Sequence, residues 1–79
     1  MNKQNPLAPL AKTIATRRRA MGISRDEMAD KLYLTRERYI WMETGKIPFQ
    51  ERYLKIIAAE LSTNLEELGK EVAGKIKKL

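Results

Sequence analysis

The stretch from Ser24 to Gly45 constrains the fold more than any other part of the chain. Ser24 is followed three residues later by Glu27, the pattern in which a serine hydroxyl caps a helix and the glutamate reaches back to the cap. Met28, Ala29 and Leu32 then share one side of a helix of about two turns. Tyr33-Leu34-Thr35 breaks that helix, and Thr35 can cap a second one running through Met42 or Glu43. Two helices joined this tightly cross steeply, which is the helix-turn-helix arrangement. Ala29 lets the helices approach, and Leu34 is the apolar turn residue that packs back onto the core. If the turn needs a left-handed backbone at Tyr33, a bulky residue there costs roughly 1–2 kcal/mol.

Three further helices are expected around this pair. The first starts near Pro6 or Pro9, where proline is tolerated because first-turn N–H groups lack intrahelical partners. Leu7, Leu10, Ile14 and Met21 keep helical spacing along it, and Gly22 is its stop. Thr44 to Pro48 reads as a loop. Leu54, Ile57, Ala58 and Leu61 mark a fourth helix. Asn64 and Glu67 form a second capping box, which opens an extended fifth helix carrying Leu65, Leu68, Val72, Ile76 and Leu79. No segment alternates at period two long enough to argue a strand. The expected architecture is all-α, five helices in a small bundle. It forms one domain over 1–79, with residues 1–6 a polar arm and 69–79 a C-terminal extension.

Composition narrows the chemistry. The chain has neither cysteine nor histidine, which excludes disulfides, thiolate metal sites and every Ser-His or Cys-His nucleophile. No nucleophile stands beside a base, so an enzyme is not expected, nor is a metal or other cofactor. No apolar run approaches about 18 residues, so no membrane span is expected. Sixteen Lys and Arg against ten Asp and Glu give +6. Residues 1–47 carry ten basic and five acidic residues, so most of the excess lies there. A basic face suits nucleic acid or an anionic surface, although net charge also serves solubility alone.

The chain resembles the Cro and phage-repressor (lambda repressor-like) family of helix-turn-helix DNA-binding domains. The resemblance runs over roughly residues 10–68 and rests on Ile23-Ser24, Glu27-Met28-Ala29, Lys31-Leu32, Leu34-Thr35-Arg36 and Glu43-Thr44-Gly45-Lys46. It continues in Leu54, Ile57-Ala58, Leu61 and Asn64-Leu65-Glu66-Glu67-Leu68. Tyr33 stands where the family commonly has glycine, Arg25 where it has glutamine, and Ile40-Trp41 where smaller or polar residues are usual. The resemblance implies a five-helix bundle with its helix-turn-helix at about 24–43. It implies a cytoplasmic transcriptional regulator of prokaryotic or phage context, most simply a repressor, binding double-stranded DNA as a homodimer on a palindromic operator.

Arg36, Glu37 and Arg38 open the expected recognition helix, whose N-terminal residues meet base edges in the major groove. Arginine bonds guanine bidentately, and a carboxylate accepts from cytosine. Arg25 and Thr35 begin the two motif helices, where backbone N–H groups can hold phosphate, and the resemblance implies a backbone contact for Lys46. It also implies a structural ion pair between Arg18 and Glu43, while Arg17 and Arg19 read as solvated or near phosphates. Tyr39 and Met42 match core positions, leaving Ile40 and Trp41 outward. Trp41 can touch DNA, cover the core edge or bind a protein, and the last option supports an alternative function as an antitoxin-like or anti-repressor interaction module. Leu61, Leu65, Leu68, Val72, Ile76 and Leu79 are the expected dimer interface, the alternative being a stripe folded onto its own bundle.

Overall fold

The computed structural model describes the backbone of residues 8–76 and the side-chain surroundings of residues 9–73. Residues 1–7, including Leu7, and residues 77–79, including Leu79, lie outside this description, as does the side chain of Ile76. Five helices follow one another: α1 (Ala8–Ala20), α2 (Arg25–Lys31), α3 (Arg36–Glu43), α4 (Glu51–Glu60) and α5 (Leu65–Ile76). The described residues contain no strand, so the fold is all-α.

The helix starts follow the caps. Ser24 Oγ accepts from Glu27 N at 3.0 Å, and Glu27 Oε1 accepts from Ser24 N at 2.7 Å. Thr35 Oγ1 accepts from Arg38 N, and Asn64 Oδ1 from Glu67 N. Gln50 precedes α4 without a side-chain cap bond.

The first four helices all stop in the same way. Each ends with a left-handed residue whose N–H returns to the carbonyl three back, while the next N–H returns to the carbonyl five back. Gly22 and Ile23 do this onto Arg19 and Arg18, and Gly45 and Lys46 onto Met42 and Trp41. Tyr33 and Leu34 close α2 onto Asp30 and Ala29, and Ser62 and Thr63 close α4 onto Ala59 and Ala58. These are Schellman stops, and glycine is the usual occupant of the left-handed position. Tyr33 has φ 57° and Ser62 φ 58°. Tyr33 is 94% exposed, so no packing offsets its backbone strain.

The core joins all five helices. Ile14, Met28, Tyr39, Met42, Ile57, Leu61 and Leu68 are its largest fully buried apolar side chains, with Ala11, Ala29, Leu32 and Phe49 around them. α2 packs chiefly on α3, α1 on α3 and α5, and α4 on α5. Two positions depart from the spacing-based expectation. Met21 lies beyond the end of α1 and is exposed, and Leu54 is only half-buried. Phe49, just past the Thr44 to Pro48 stretch that reads as a loop, is in the core. Thr13 is fully buried in α1, and its hydroxyl has no hydrogen-bond partner.

Candidate nucleic-acid interface

The geometry of α2 and α3 is set by one carboxylate. Glu43, at the end of α3, is buried and accepts four hydrogen bonds. Arg18 of α1 donates to it twice, from Nε at 2.7 Å and Nη2 at 3.1 Å. Arg25 of α2 donates from Nε at 2.8 Å, and Tyr39 OH donates at 2.6 Å. Arg18 Nη1 also donates to the Ile23 carbonyl, which ties the α1 stop to the same network. Burial opposes ionisation of Glu43, but bonds from Arg18, Tyr39 and Arg25 outweigh it and hold the carboxyl below its ordinary range. Its bond to Glu43 holds Arg18 firmly in the charged form. Burial and the donated bond to Glu43 push the Tyr39 phenol up, so it stays a donor. Three helices are thereby fixed to one another through a charged centre.

Tyr39, Met42 and Glu43 consume one side of α3. Arg36, Glu37 and Arg38 form its exposed first turn, and Trp41 follows one turn after Glu37, 37% exposed, with Ile40 half-buried beside it. Lys46 is exposed after Gly45, its backbone N–H donating to the Trp41 carbonyl at 2.8 Å. Thr35 spends an oxygen lone pair on the cap and keeps its hydroxyl proton available as a donor. The structure therefore gathers Thr35, Arg36, Glu37, Arg38, Trp41 and Lys46 on α3 and its flanks.

Some expected residues lie elsewhere. The Arg25 side chain turns inward to Glu43, because a buried carboxylate offers a stronger partner than solvent. Arg17 is half-buried and paired rather than freely solvated. Its Nε meets Glu71 Oε1 on α5 at 2.8 Å, an ion pair across 54 residues of sequence. Leu61 and Leu68 are 1% and 2% exposed within their own chain, so they cannot form the surface of a dimer contact. Leu65 and Val72 remain half-buried and border an apolar groove of about 330 Å3. Leu10 of α1, Leu54 of α4, and Gly69 and Ala73 of α5 complete its walls.

Three further contacts escape a reading of the sequence. Tyr39 and Glu43 are four apart, a spacing that brings side chains together on a helix, so this bond had a local signal. Arg25 to Glu43 and Asp26 to Arg36 join separate helices and had none. Arg36 Nε forms an ion pair with Asp26 Oδ1 at 2.9 Å. Among the described residues, no cluster of three or more Asp, Glu, His or Cys side chains could hold a metal ion, and no helix is long and apolar enough to cross a membrane. No protein-family model, curated protein or solved structure matches the chain.

Proposed function

We propose that the chain binds double-stranded DNA sequence-specifically as a small transcriptional regulator, with α2, the Leu32–Thr35 turn and α3 acting as a lambda repressor-like helix-turn-helix. The observation that carries this reading is the division of α3 into two faces. One face is locked by Tyr39, Met42 and the Glu43 network, while the first turn presents Arg36, Glu37 and Arg38 to solvent. A rigid helix with a charged, exposed N-terminal turn suits insertion into a major groove. Arg36 and Glu37 read base edges, while Thr35, Arg38 and Lys46 hold the backbone. Trp41 contacts a thymine methyl or a sugar farther along the helix.

A single such helix reads only a few base pairs, so the active form is a homodimer on a palindromic operator, and occupancy of a promoter blocks transcription. The groove beside α5 is the surface for the second copy. Leu10, Leu54, Leu65 and Val72 are apolar and incompletely covered, and Gly69 and Ala73 allow a close approach. The alternative, a protein-interaction module, draws on the exposed indole of Trp41 beside Ile40.

Salt separates the two readings. Binding of a labelled duplex should weaken steeply as salt rises, with a log–log slope of about −0.9 per phosphate neutralised. A chain that fails to bind any duplex at low salt is not a DNA-binding protein.

A further inference from the structure

Resting on the reading of α3 as the base-contacting helix, we propose that Asp26 is a positioning residue for base recognition: it holds Arg36 in the orientation from which Arg36 reads guanine. Asp26 lies in the first turn of α2 and Arg36 opens α3. The Glu43 network and the α2–α3 packing fix the two helices relative to each other. Arg36 Nε lies 2.9 Å from Asp26 Oδ1, an ion pair whose side chains are 63% and 70% exposed. At that exposure the pair contributes little to folding. Its effect is geometric.

A free arginine on a first turn samples many rotamers and must lose them on reaching a base. An ion pair at Nε removes part of that freedom beforehand. The approach to Asp26 is through Nε, and the fork of the two terminal Nη groups is the edge that matches the N7 and O6 acceptors of guanine. The same carboxylate competes with phosphate oxygens for Arg36, so it discourages the non-specific contacts that an unrestrained arginine makes. A lone acid on a DNA-facing surface otherwise works against binding, because it repels the phosphates.

These two effects have opposite signs, which makes the proposal testable. The wild-type chain, Asp26→Ala and Asp26→Asn are each selected against a random duplex library. Each is then titrated with the wild-type consensus, with that consensus changed at the guanine read by Arg36, and with an unrelated duplex. Helical circular dichroism and melting confirm that the variants fold.

For Asp26→Ala, discrimination at the guanine should fall about tenfold, within the range a bidentate pair supplies. Binding to the unrelated duplex should be unchanged or tighter, because a negative charge has left the surface. Asp26→Asn, which keeps a neutral acceptor, should fall between. In an Arg36→Ala background, Asp26→Ala should cause no further loss of discrimination. Unchanged discrimination, or an equal loss on every sequence, would overturn the positioning role. So would a further loss in the Arg36→Ala background. If the wild-type chain selects no consensus, the reading of α3 fails and this inference falls with it. A wild-type consensus that Asp26→Ala shares in full defeats the positioning role alone.

Discussion

Replacing Glu43 by glutamine tests whether the charged centre holds the three helices in place. The carboxylate accepts four bonds from three donor side chains, and its own side chain is fully buried. A glutamine carbonyl can accept only two of them, and its NH2 meets donors with a donor. Arg18, itself buried, loses its counter-charge. Leaving one member of a buried pair uncompensated costs about 3–5 kcal/mol. A chain of this size has on the order of 4–12 kcal/mol in total, at 0.05–0.15 per residue. Glu43→Gln should therefore lower the melting temperature by roughly 12–40 °C, at about 4–8 °C per kcal/mol.

Thermal and urea melts followed by circular dichroism measure this effect. In a double-mutant cycle, adding Arg18→Met to Glu43→Gln should cost less than Arg18→Met alone, because the orphaned charge is removed. The pH dependence arises from the folded-state carboxyl, which lies below its ordinary value. Its stabilisation is present above the unfolded pKa of about 4.3 and is lost as pH falls through the folded value. Glu43→Gln should flatten that acid limb. A loss under about 1 kcal/mol, with the acid limb unchanged, would mean that apolar packing alone positions the helices.

Three further outcomes are expected. Tyr33→Gly should raise stability by about 0.5–1 kcal/mol, since relief of left-handed strain exceeds the extra chain entropy of glycine, and a fall in melting temperature would refute the strain. Thr13→Val should raise stability by about 1 kcal/mol by removing a buried hydroxyl that has no partner, and a loss of similar size in the same melt would show that the hydroxyl is satisfied. Val72→Asp, at the rim of the apolar groove, should convert a dimer to a monomer in sedimentation at micromolar concentration without unfolding it. An unchanged sedimentation profile would place the assembly surface elsewhere.

Much of the fold can be read locally. Ser24, Thr35 and Asn64 cap helices from within four residues, and Gly22 and Gly45 mark two stops. The equivalent stops at Tyr33 and Ser62 carry no glycine and cannot be identified by residue type. At Tyr33 the left-handed turn is imposed by the next residue along the chain: Leu34 must return to the core, and the backbone accepts the strain. Periodicity showed which faces are apolar but not what covers them. Leu61 and Leu68 lie on the expected stripe, yet α1 and α4 packing against α5 already bury them. The charged residues were least legible. Arg17, Arg25 and Arg36 each find a carboxylate on another helix, at a sequence distance that no local pattern encodes.

Selection of bound sequences from a random duplex library is the decisive measurement. A lambda repressor-like homodimer should enrich a palindrome whose half-sites are about 34 Å apart, one turn of the duplex. Arg36→Ala should relax one base position in each half-site, while Lys46→Ala should weaken all sequences alike. A library that emerges without any enriched sequence, or a consensus that Arg36→Ala leaves untouched, would contradict the assignment of α3 as the helix that reads DNA.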